Sequence, residues 1–137
     1  MEKKQWVSAK EKRNGKDKGG MAMKQIRMAR PSDLAEFRAL WDISFSDTQA
    51  FRNWFFSHRF VPGYSCCIEE DGRLVSAVQS VPCHIRVRGK ILPAAVMVGA
   101  CTHPDYKRRG YMKELYTFYM NEMAKMGVVL AAHTPAV

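Results

Sequence analysis

One stretch near the C-terminus limits the fold of this chain more than any other. Residues 96–112 read VMVGACTHPDYKRRGYM, an apolar run followed by a break and then by a basic turn. The apolar run has the composition of a buried strand, and His103, Pro104 and Asp105 interrupt it. The turn ends at Gly110, where a helical pattern begins. The stretch therefore predicts a strand, a tight turn and the start of a helix.

The residues after Gly110 predict one long amphipathic helix and a second strand. Gly127 is a typical C-terminal stop, and residues 128–132 form a short apolar run that predicts a strand. A strand, a helix and a second strand in this order make a βαβ unit with two parallel strands. The apolar stripe of the helix recurs at helical spacing and consists of Met112, Leu115, Tyr116, Tyr119, Met123 and Met126.

The basic turn has the features of an anion site. The start of a helix leaves several backbone N–H groups without partners, and the helix dipole adds positive charge at the same end. Lys107, Arg108 and Arg109 supply cationic side chains, and Gly110 can adopt backbone angles that other residues avoid. This combination predicts a site for a phosphate or pyrophosphate group.

Residues 102–112 resemble the acetyl-CoA-binding motif of the GCN5-related N-acetyltransferases, in which a strand ending in Val-x-Pro precedes x-x-Arg/Gln-x-x-Gly-x-Gly/Ala. Pro104 occupies the position of the motif's proline, and Gly110 that of its first glycine. Lys107 stands where the family has Arg or Gln, and Met112 replaces the second Gly or Ala. The His-Pro and Arg-Arg-Gly-Tyr-Met pattern resembles the branch named for enhanced intracellular survival.

The resemblance implies an α/β (α+β) fold of the acyl-CoA N-acyltransferase type, with a mixed central sheet and flanking helices. Residues 24–137 would form the N-terminal part of such a domain and would lack its C-terminal strands. The Lys-rich residues 1–23 predict a disordered basic extension.

The resemblance also implies acetyl-CoA as cosubstrate. The pantetheine arm would lie along Ala100, Cys101 and Thr102, with a backbone N–H near Thr102 polarising the thioester carbonyl. The second strand would diverge from the first near His133 and Thr134 to admit that arm. The pyrophosphate would contact the turn and the first helical residues, which are Lys107, Arg108, Arg109, Gly110, Tyr111, Met112 and Lys113.

No catalytic residue can be assigned from the sequence. Residues 94–102 contain no carboxylate, whereas many family members carry a glutamate on this strand. The family's usual proton donor is a tyrosine on a helix that would follow residue 137. His103 and His133 are the side chains near the site that titrate closest to neutral pH, although a structural role is the more frequent one for a histidine at a strand end. Nothing marks Cys101 as an activated nucleophile.

The amino-acid composition limits the kinds of partner and the cellular location that we expect. No apolar run is long enough to span a bilayer and no secretory signal is visible, so the sequence predicts no membrane association and a cytoplasmic location. The net charge is +9, which is compatible with nucleic-acid binding, but the basic tail lacks the interleaved aromatic residues of a stacking surface. The four cysteines show no metal-binding spacing, which favours reduced core thiols over metal ligands or disulfides.

The remaining residues predict the supporting elements. Residues 24–29 alternate like a strand, and two helices follow, with Ser32 and Thr48 as their predicted N-caps. Phe56 and Phe60 lie off the apolar stripe of the second helix, so we predict that they form the walls of an acceptor cleft. Asp71-Gly72 and a turn near Gly89 predict two hairpins, and Pro82 restricts its strand to an edge, a bulge or an end.

Two functions of different classes fit the sequence. The first is an N-acetyltransferase that transfers acetyl from acetyl-CoA to an amine by direct attack. The second is a non-catalytic acyl-CoA-binding or partner-binding module, which the missing carboxylate favours. The acceptor would be a small-molecule or peptide amine. An exposed final strand would also allow pairing between copies, and hence a homo-oligomer.

Overall fold

The computed structural model describes residues 23–134 and has the predicted α+β architecture. Its strands are β1 Lys24–Met28, β2 Cys66–Glu70, β3 Arg73–Val87, β4 Lys90–Thr102 and β5 Leu130–His133. Its helices are α1 Leu34–Ser44, α2 Gln49–His58 and α3 Tyr111–Lys125. The predicted tail falls mainly on residues 1–22, which lie outside the described residues.

The five strands form one mixed sheet in the order β1-β2-β3-β4-β5. The first four strands pair antiparallel, and β5 pairs parallel to β4 after the chain has crossed over through α3. The predicted βαβ unit and the mixed sheet with flanking helices are thereby confirmed. β5 extends from residue 130 to 133, two residues later at its start than the apolar run indicates.

The sheet separates two hydrophobic cores. On one face, α1 and α2 contribute Phe37, Trp41 and Phe55 to a core that also contains Leu74 of β3. On the other face, α3 packs against the sheet through a stripe of buried side chains, Tyr111, Leu115, Tyr119 and Met123. Of the predicted stripe, Met112 and Tyr116 are half-buried and Met126 is exposed beyond the helix end. The helix ends at Lys125, and Gly127, the predicted stop, follows two residues later with φ of +81°.

The helix starts agree with the sequence in one case and differ in the other. Thr48 caps α2, since its hydroxyl accepts the Phe51 N–H at 3.2 Å. Ser32 is not an N-cap: it is exposed within a short 3₁₀ turn that precedes α1. Asp33 accepts the Arg30 N–H at 2.7 Å and also pairs with the buried guanidinium of Arg27, again at 2.7 Å. Asp33 is the N-cap residue of α1, but its carboxylate binds Arg27 and the upstream Arg30 N–H and does not cap the helix.

Both predicted hairpins are present. Asp71 and Gly72 join β2 to β3, while Arg88 and Gly89 join β3 to β4, and all four residues have positive φ. Pro82 lies in β3 beyond the residues that pair with β2, so its missing N–H faces an edge to which no strand of the described residues pairs.

The prediction that Phe56 and Phe60 line a cleft is wrong. Phe56 is only 4% exposed, and Phe60 packs beside it and Phe37 in the core under α1 and α2. The exposed aromatics of α2 are Phe51 and Trp54. Packing against α1 determines which side of α2 is exposed. The spacing of the aromatic residues in the sequence does not reveal that side.

Cys66, Cys67 and Cys101 are buried, and Cys83 is half-buried in the outer part of β3. No three acidic, histidine or cysteine side chains within residues 23–134 converge as a metal site would require. Within the same residues, no helix has the length and apolar character needed to cross a bilayer.

Candidate functional site

The turn between β4 and α3 is held from within. The His103 imidazole accepts the Asp105 N–H through Nδ1 at 3.2 Å, and the His103 carbonyl accepts the Tyr106 N–H at 2.9 Å. The Arg109 guanidinium donates to the Asp105 carbonyl at 3.0 Å and lies 4.8 Å from the centre of the Tyr106 ring. Through these contacts, the first half of the turn fixes the position of the second half.

The second half of the turn leaves its backbone N–H groups available. Arg108 and Gly110 both adopt left-handed angles, with φ of +63° and +79°. The first intrahelical bond runs from the Glu114 N–H to the Gly110 carbonyl at 3.1 Å. Within residues 23–134, no protein acceptor takes the N–H groups of residues 108–113. Successive free amides at a helix start form a concave donor surface for an anion.

A cavity of about 390 Å³ lies over these amides. Its cationic side chains are Lys107, Arg108 and Lys113. Arg109, predicted to bind the same anion, is not among the lining residues, because its guanidinium is bonded to the turn itself. The other predicted residues that line this cavity are Ala100, Cys101, Thr102, Gly110, Tyr111 and Met112.

Helix α3, which follows the turn, is anchored to the sheet behind the cavity. The Tyr111 hydroxyl donates to the Glu70 carboxylate in the core under the sheet. Lys24 of β1 lies 4.8 Å from the centre of the Tyr111 ring and pairs with Glu114 at 2.9 Å. Because its hydroxyl and ring are engaged in this way, Tyr111 holds the first turn of α3 against the sheet.

Strand β4 has an irregularity that opens one of its edges. β5 pairs with β4 only as far as the Met97–His133 pair, so residues 98–102 have no strand partner on that side within residues 23–134. Opposite β3, the register shifts by one residue at Gly99, which forms a bulge with φ of +62°. A Cβ at Gly99 would clash with the Trp41 ring, so close packing also requires glycine here.

A second cavity, of about 420 Å³, lies where β4 and β5 diverge. His133 and Thr134, predicted to flank the pantetheine arm, line it together with Tyr116 of α3. Phe45 and Ala100 line both cavities, so the two adjoin and form a groove from the free amides to the diverging strands. The walls of the second cavity are mainly apolar: Phe45, Met97, Val98, Gly99, Ala100 and Tyr116.

The Cys101 thiol and the His103 imidazole lie near the groove but are poorly suited to catalysis. Burial raises the pKa of the Cys101 thiol to about 11, so the thiol is neutral near pH 7 and is not an activated nucleophile. His103 is 8% exposed, and burial lowers its pKa from 6.5. Its Nδ1 is already an acceptor for the turn, which identifies it as a structural residue.

A family comparison agrees with this geometry. Residues 25–137 match the family described as the acetyltransferase (GNAT) domain, which is most of the chain. The chain belongs to the GNAT acetyltransferase family. The family resemblance inferred from residues 102–112 is thus confirmed at the level of the family.

Solved structures share the GNAT fold at low sequence identity. A probable N-acyltransferase from Enterococcus faecalis V583 is 20% identical, with a TM-score of 0.71 over 85% of this chain and 30% of that chain. Glucosamine-6-phosphate N-acetyltransferase from Arabidopsis thaliana is 17% identical, with a TM-score of 0.64 over 84% of both chains. A GNAT family acetyltransferase from Brucella melitensis, solved with acetyl-CoA, is 16% identical, with a TM-score of 0.65 over 84% of this chain and 77% of that chain.

The GNAT domain described here spans less than a third of the Enterococcus protein. No curated protein matches the chain.

Several residues of the groove were not predicted from the GNAT motif. Gly99 carries a usable signal, because a glycine inside an apolar strand indicates a bulge or a close approach. Tyr116 was assigned to the core stripe, since helical spacing alone does not distinguish a core residue from one at the edge of a groove. Ser44 and Phe45 carry no signal of their own, because they reach the groove only through the packing of α1 on the sheet.

Proposed function

We propose that this chain binds acetyl-CoA in the groove and transfers its acetyl group to an amine. One observation carries the proposal: the free N–H groups of residues 108–113 open into a groove that continues to the point where β4 and β5 diverge. An anion-binding helix start at one end and an unpaired strand edge along the way suit a long cosubstrate with a diphosphate and an amide-containing arm.

The diphosphate would be held by the amides of residues 108–113, with Lys107, Arg108 and Lys113 adding charge. Arg109 would act indirectly by fixing the turn. Alternation along β4 supports a strand-like position for the pantetheine arm. The His103 N–H bonds to the Val75 carbonyl of β3 at 2.7 Å, so the Thr102 N–H faces the opposite, unpaired edge.

The chemistry needs a thioester carbonyl polarised by a donor and a neutral amine within attack distance. By the same alternation, the Thr102 N–H faces the groove, close to the bulge at Gly99. This donor would stabilise negative charge developing on the carbonyl oxygen as the amine attacks. The C–S bond then breaks, and the products are an amide and coenzyme A.

A second function remains open, namely a non-catalytic acyl-CoA-binding module. It is favoured by one observation, that no carboxylate side chain lines either cavity. In that case coenzyme A would bind to the same amides, but acetyl-CoA would not be consumed with any amine.

Finer assignments also remain predictions. They are membership of the branch named for enhanced intracellular survival, a cytoplasmic location, pairing between copies through β5, and a small-molecule or peptide amine as the acceptor. The candidate acceptors are aminoglycosides, polyamines, peptide N-termini and lysine side chains. The weaker hypothesis of nucleic-acid binding is placed on the basic tail of residues 1–23.

The test is isothermal titration of coenzyme A against the parent protein and two glycine variants. Gly110→Asp introduces a carboxylate and a strained left-handed residue beside the free amides, and we expect it to abolish measurable binding. Gly89→Asp is the matched control, because Gly89 also has φ of +79° and open space around its Cβ position but lies in the distal hairpin. Lack of saturable binding by the parent would refute the proposal, as would equal losses in the two variants.

A further inference from the structure

Direct acetyl transfer requires a group that takes a proton from the amine and a group that returns one to the departing sulfur. The family's customary carboxylate is missing from β4, and no Asp or Glu lines either cavity. Around the second cavity, where the strands diverge, two of the described lining residues carry a titratable side chain. They are His133 and Tyr116.

His133 is well placed on the sheet for this role. It is the last residue of β5 and pairs with Met97, the last residue of β4 that has a β5 partner. Partners in a parallel pair share a face, and Met97 packs with α3, so His133 lies on the α3 face of the sheet. It is exposed, which leaves its imidazole open to an entering amine and to solvent.

Tyr116 reaches the same cavity from α3. It is half-buried, and burial raises its pKa, so the phenol remains protonated at neutral pH. Tyr119, one turn further on, is fully buried in the core and cannot serve instead. An imidazole and a phenol that line one cavity can serve as a base and an acid with separate roles.

We propose that His133 accepts the proton of the attacking amine and that Tyr116 donates a proton to the departing thiolate. The proposal rests on the function proposed above and adds catalytic residues to it. The remaining residues that line this cavity have no titratable side chain: Phe45, Met97, Val98, Gly99, Ala100 and Thr134.

Atoms and electrons balance in this step. The amine lone pair forms a C–N bond with the thioester carbonyl carbon, and an N–H proton passes to the His133 imidazole. The C–S bond breaks, its electron pair stays on sulfur, and the sulfur takes the Tyr116 hydroxyl proton. The imidazolium and the phenolate then return to their starting forms by net transfer of one proton through solvent. The products are the N-acetylated amine and coenzyme A.

Other titratable groups near the groove are less suitable. Tyr106 and Tyr111 line the first cavity beside the basic turn, and Tyr111 already donates to Glu70. Cys101 also lines only the first cavity, and its pKa is raised to about 11 by burial. His103 lines neither cavity.

The experiment compares His133→Asn and Tyr116→Phe with His84→Asn, a change of another exposed strand histidine that lines neither cavity. Coenzyme A affinity is measured by titration calorimetry, and kcat is measured from pH 5.5 to 10 by thiol release from acetyl-CoA. The acceptor panel contains glucosamine 6-phosphate, an aminoglycoside, spermidine and a lysine-containing peptide. Circular dichroism confirms that each variant is folded.

We expect His133→Asn to lower kcat by about 100-fold and to remove the rise of kcat with pH in the range where imidazoles lose their proton. Tyr116→Phe is expected to lower kcat by about 10-fold to 100-fold and to remove the fall at alkaline pH. Both variants should bind coenzyme A within twofold of the parent, and His84→Asn should match the parent throughout.

Three outcomes would overturn the assignment. The first is a parent that binds coenzyme A but shows no turnover with any amine of the panel. The second is a His133→Asn variant with the parent's pH profile. The third is a loss of kcat in His84→Asn equal to that in His133→Asn. Failure of the parent to bind coenzyme A would instead refute the proposed function itself, and this inference with it.

Discussion

Two basic turns in this molecule share their composition and backbone angles but lead into different secondary structure. The turn between β3 and β4 contains Arg88 and Gly89, with φ of +48° and +79°. The turn before α3 contains Arg108 and Gly110, with φ of +63° and +79°. Each turn is exposed and rich in lysine and arginine. By charge and glycine content alone, both would qualify as anion sites.

The difference lies in the direction of the backbone N–H groups. In the hairpin, Val87 pairs directly with Lys90, so the strand ladder continues up to the turn. Strand dipoles alternate and give no net positive end. In the turn before α3, the N–H groups of residues 108–113 have no acceptor among the described residues and belong to a helix start. The comparison indicates that the adjoining helix distinguishes an anion site from a merely basic turn.

Charge reversal is expected to separate the two turns most strongly. Replacing Lys107 and Arg108 together by Glu puts two negative charges beside the proposed diphosphate site, and we expect coenzyme A affinity to fall by about 100-fold. The matched variant replaces Arg88 and Lys90 by Glu and should bind coenzyme A within twofold of the parent. All four side chains are exposed, so both variants should fold. Titration calorimetry at fixed ionic strength is the measurement.

If both double variants lost affinity equally, the net positive charge of the domain, not the turn before α3, would account for binding. A repeat at higher salt distinguishes these cases, because a long-range charge effect is screened within about 10 Å at 0.1 M salt. Retention of full affinity by the Lys107 and Arg108 variant would contradict the anion-site interpretation.

Much of the fold could be predicted because its signals are local. The Asp71-Gly72 turn, the Thr48 cap and the Gly127 stop each depend on a few adjacent residues, and the structure has all three. The parallel pairing of two strands was predicted from the order of strand, helix and strand. Ser32 is not a cap because a 3₁₀ turn over Pro31–Asp33 moves the start of α1 one residue further, and Asp33 in that turn pairs with the distant Arg27 of β1.

The candidate site could be predicted only in part. The motif residues 100–102 and 107–113 are contiguous in sequence, and all of them except Arg109 line the groove. The opposite wall depends on packing between distant elements, so Phe45 was missed and the buried Phe56 was wrongly assigned to a cleft. The divergence of β4 and β5 near His133 and Thr134 was expected only from the family resemblance. Strand pairing is non-local, so the periodicity of the sequence does not reveal where it ends.

Alanine substitutions at the two turn glycines should show a smaller and more selective effect. Gly89 and Gly110 both have φ of +79° with no atom within 4 Å of the Cβ position, so each alanine is strained but does not clash. We expect each variant to lose about 1 kcal/mol of unfolding free energy, measured by urea denaturation. Only Gly110→Ala should also weaken coenzyme A binding, since only its backbone belongs to the free-amide segment. A binding loss in Gly89→Ala would contradict this.

The smallest expected effect concerns His103, which holds only the turn before α3. Burial lowers the pKa of His103 from 6.5, so the unfolded chain binds a proton at a higher pH than the folded protein does. His103 therefore contributes stability above pH 6.5 that is lost as the pH falls through its lower folded pKa. Asp105, 4.0 Å away, and Arg73 act on the pKa in opposite directions.

His103→Gln should remove this part of the pH dependence of unfolding between pH 7 and pH 5, measured as urea midpoints. His84→Gln, a change of an exposed histidine in the arm of the other turn, should retain the parent's slope. In the parent, protonation of Nδ1 would also remove the acceptor of the Asp105 N–H, so coenzyme A affinity should weaken over the same range. An unchanged slope in His103→Gln would mean that the turn before α3 is held by Arg109 and Tyr106 without help from the imidazole.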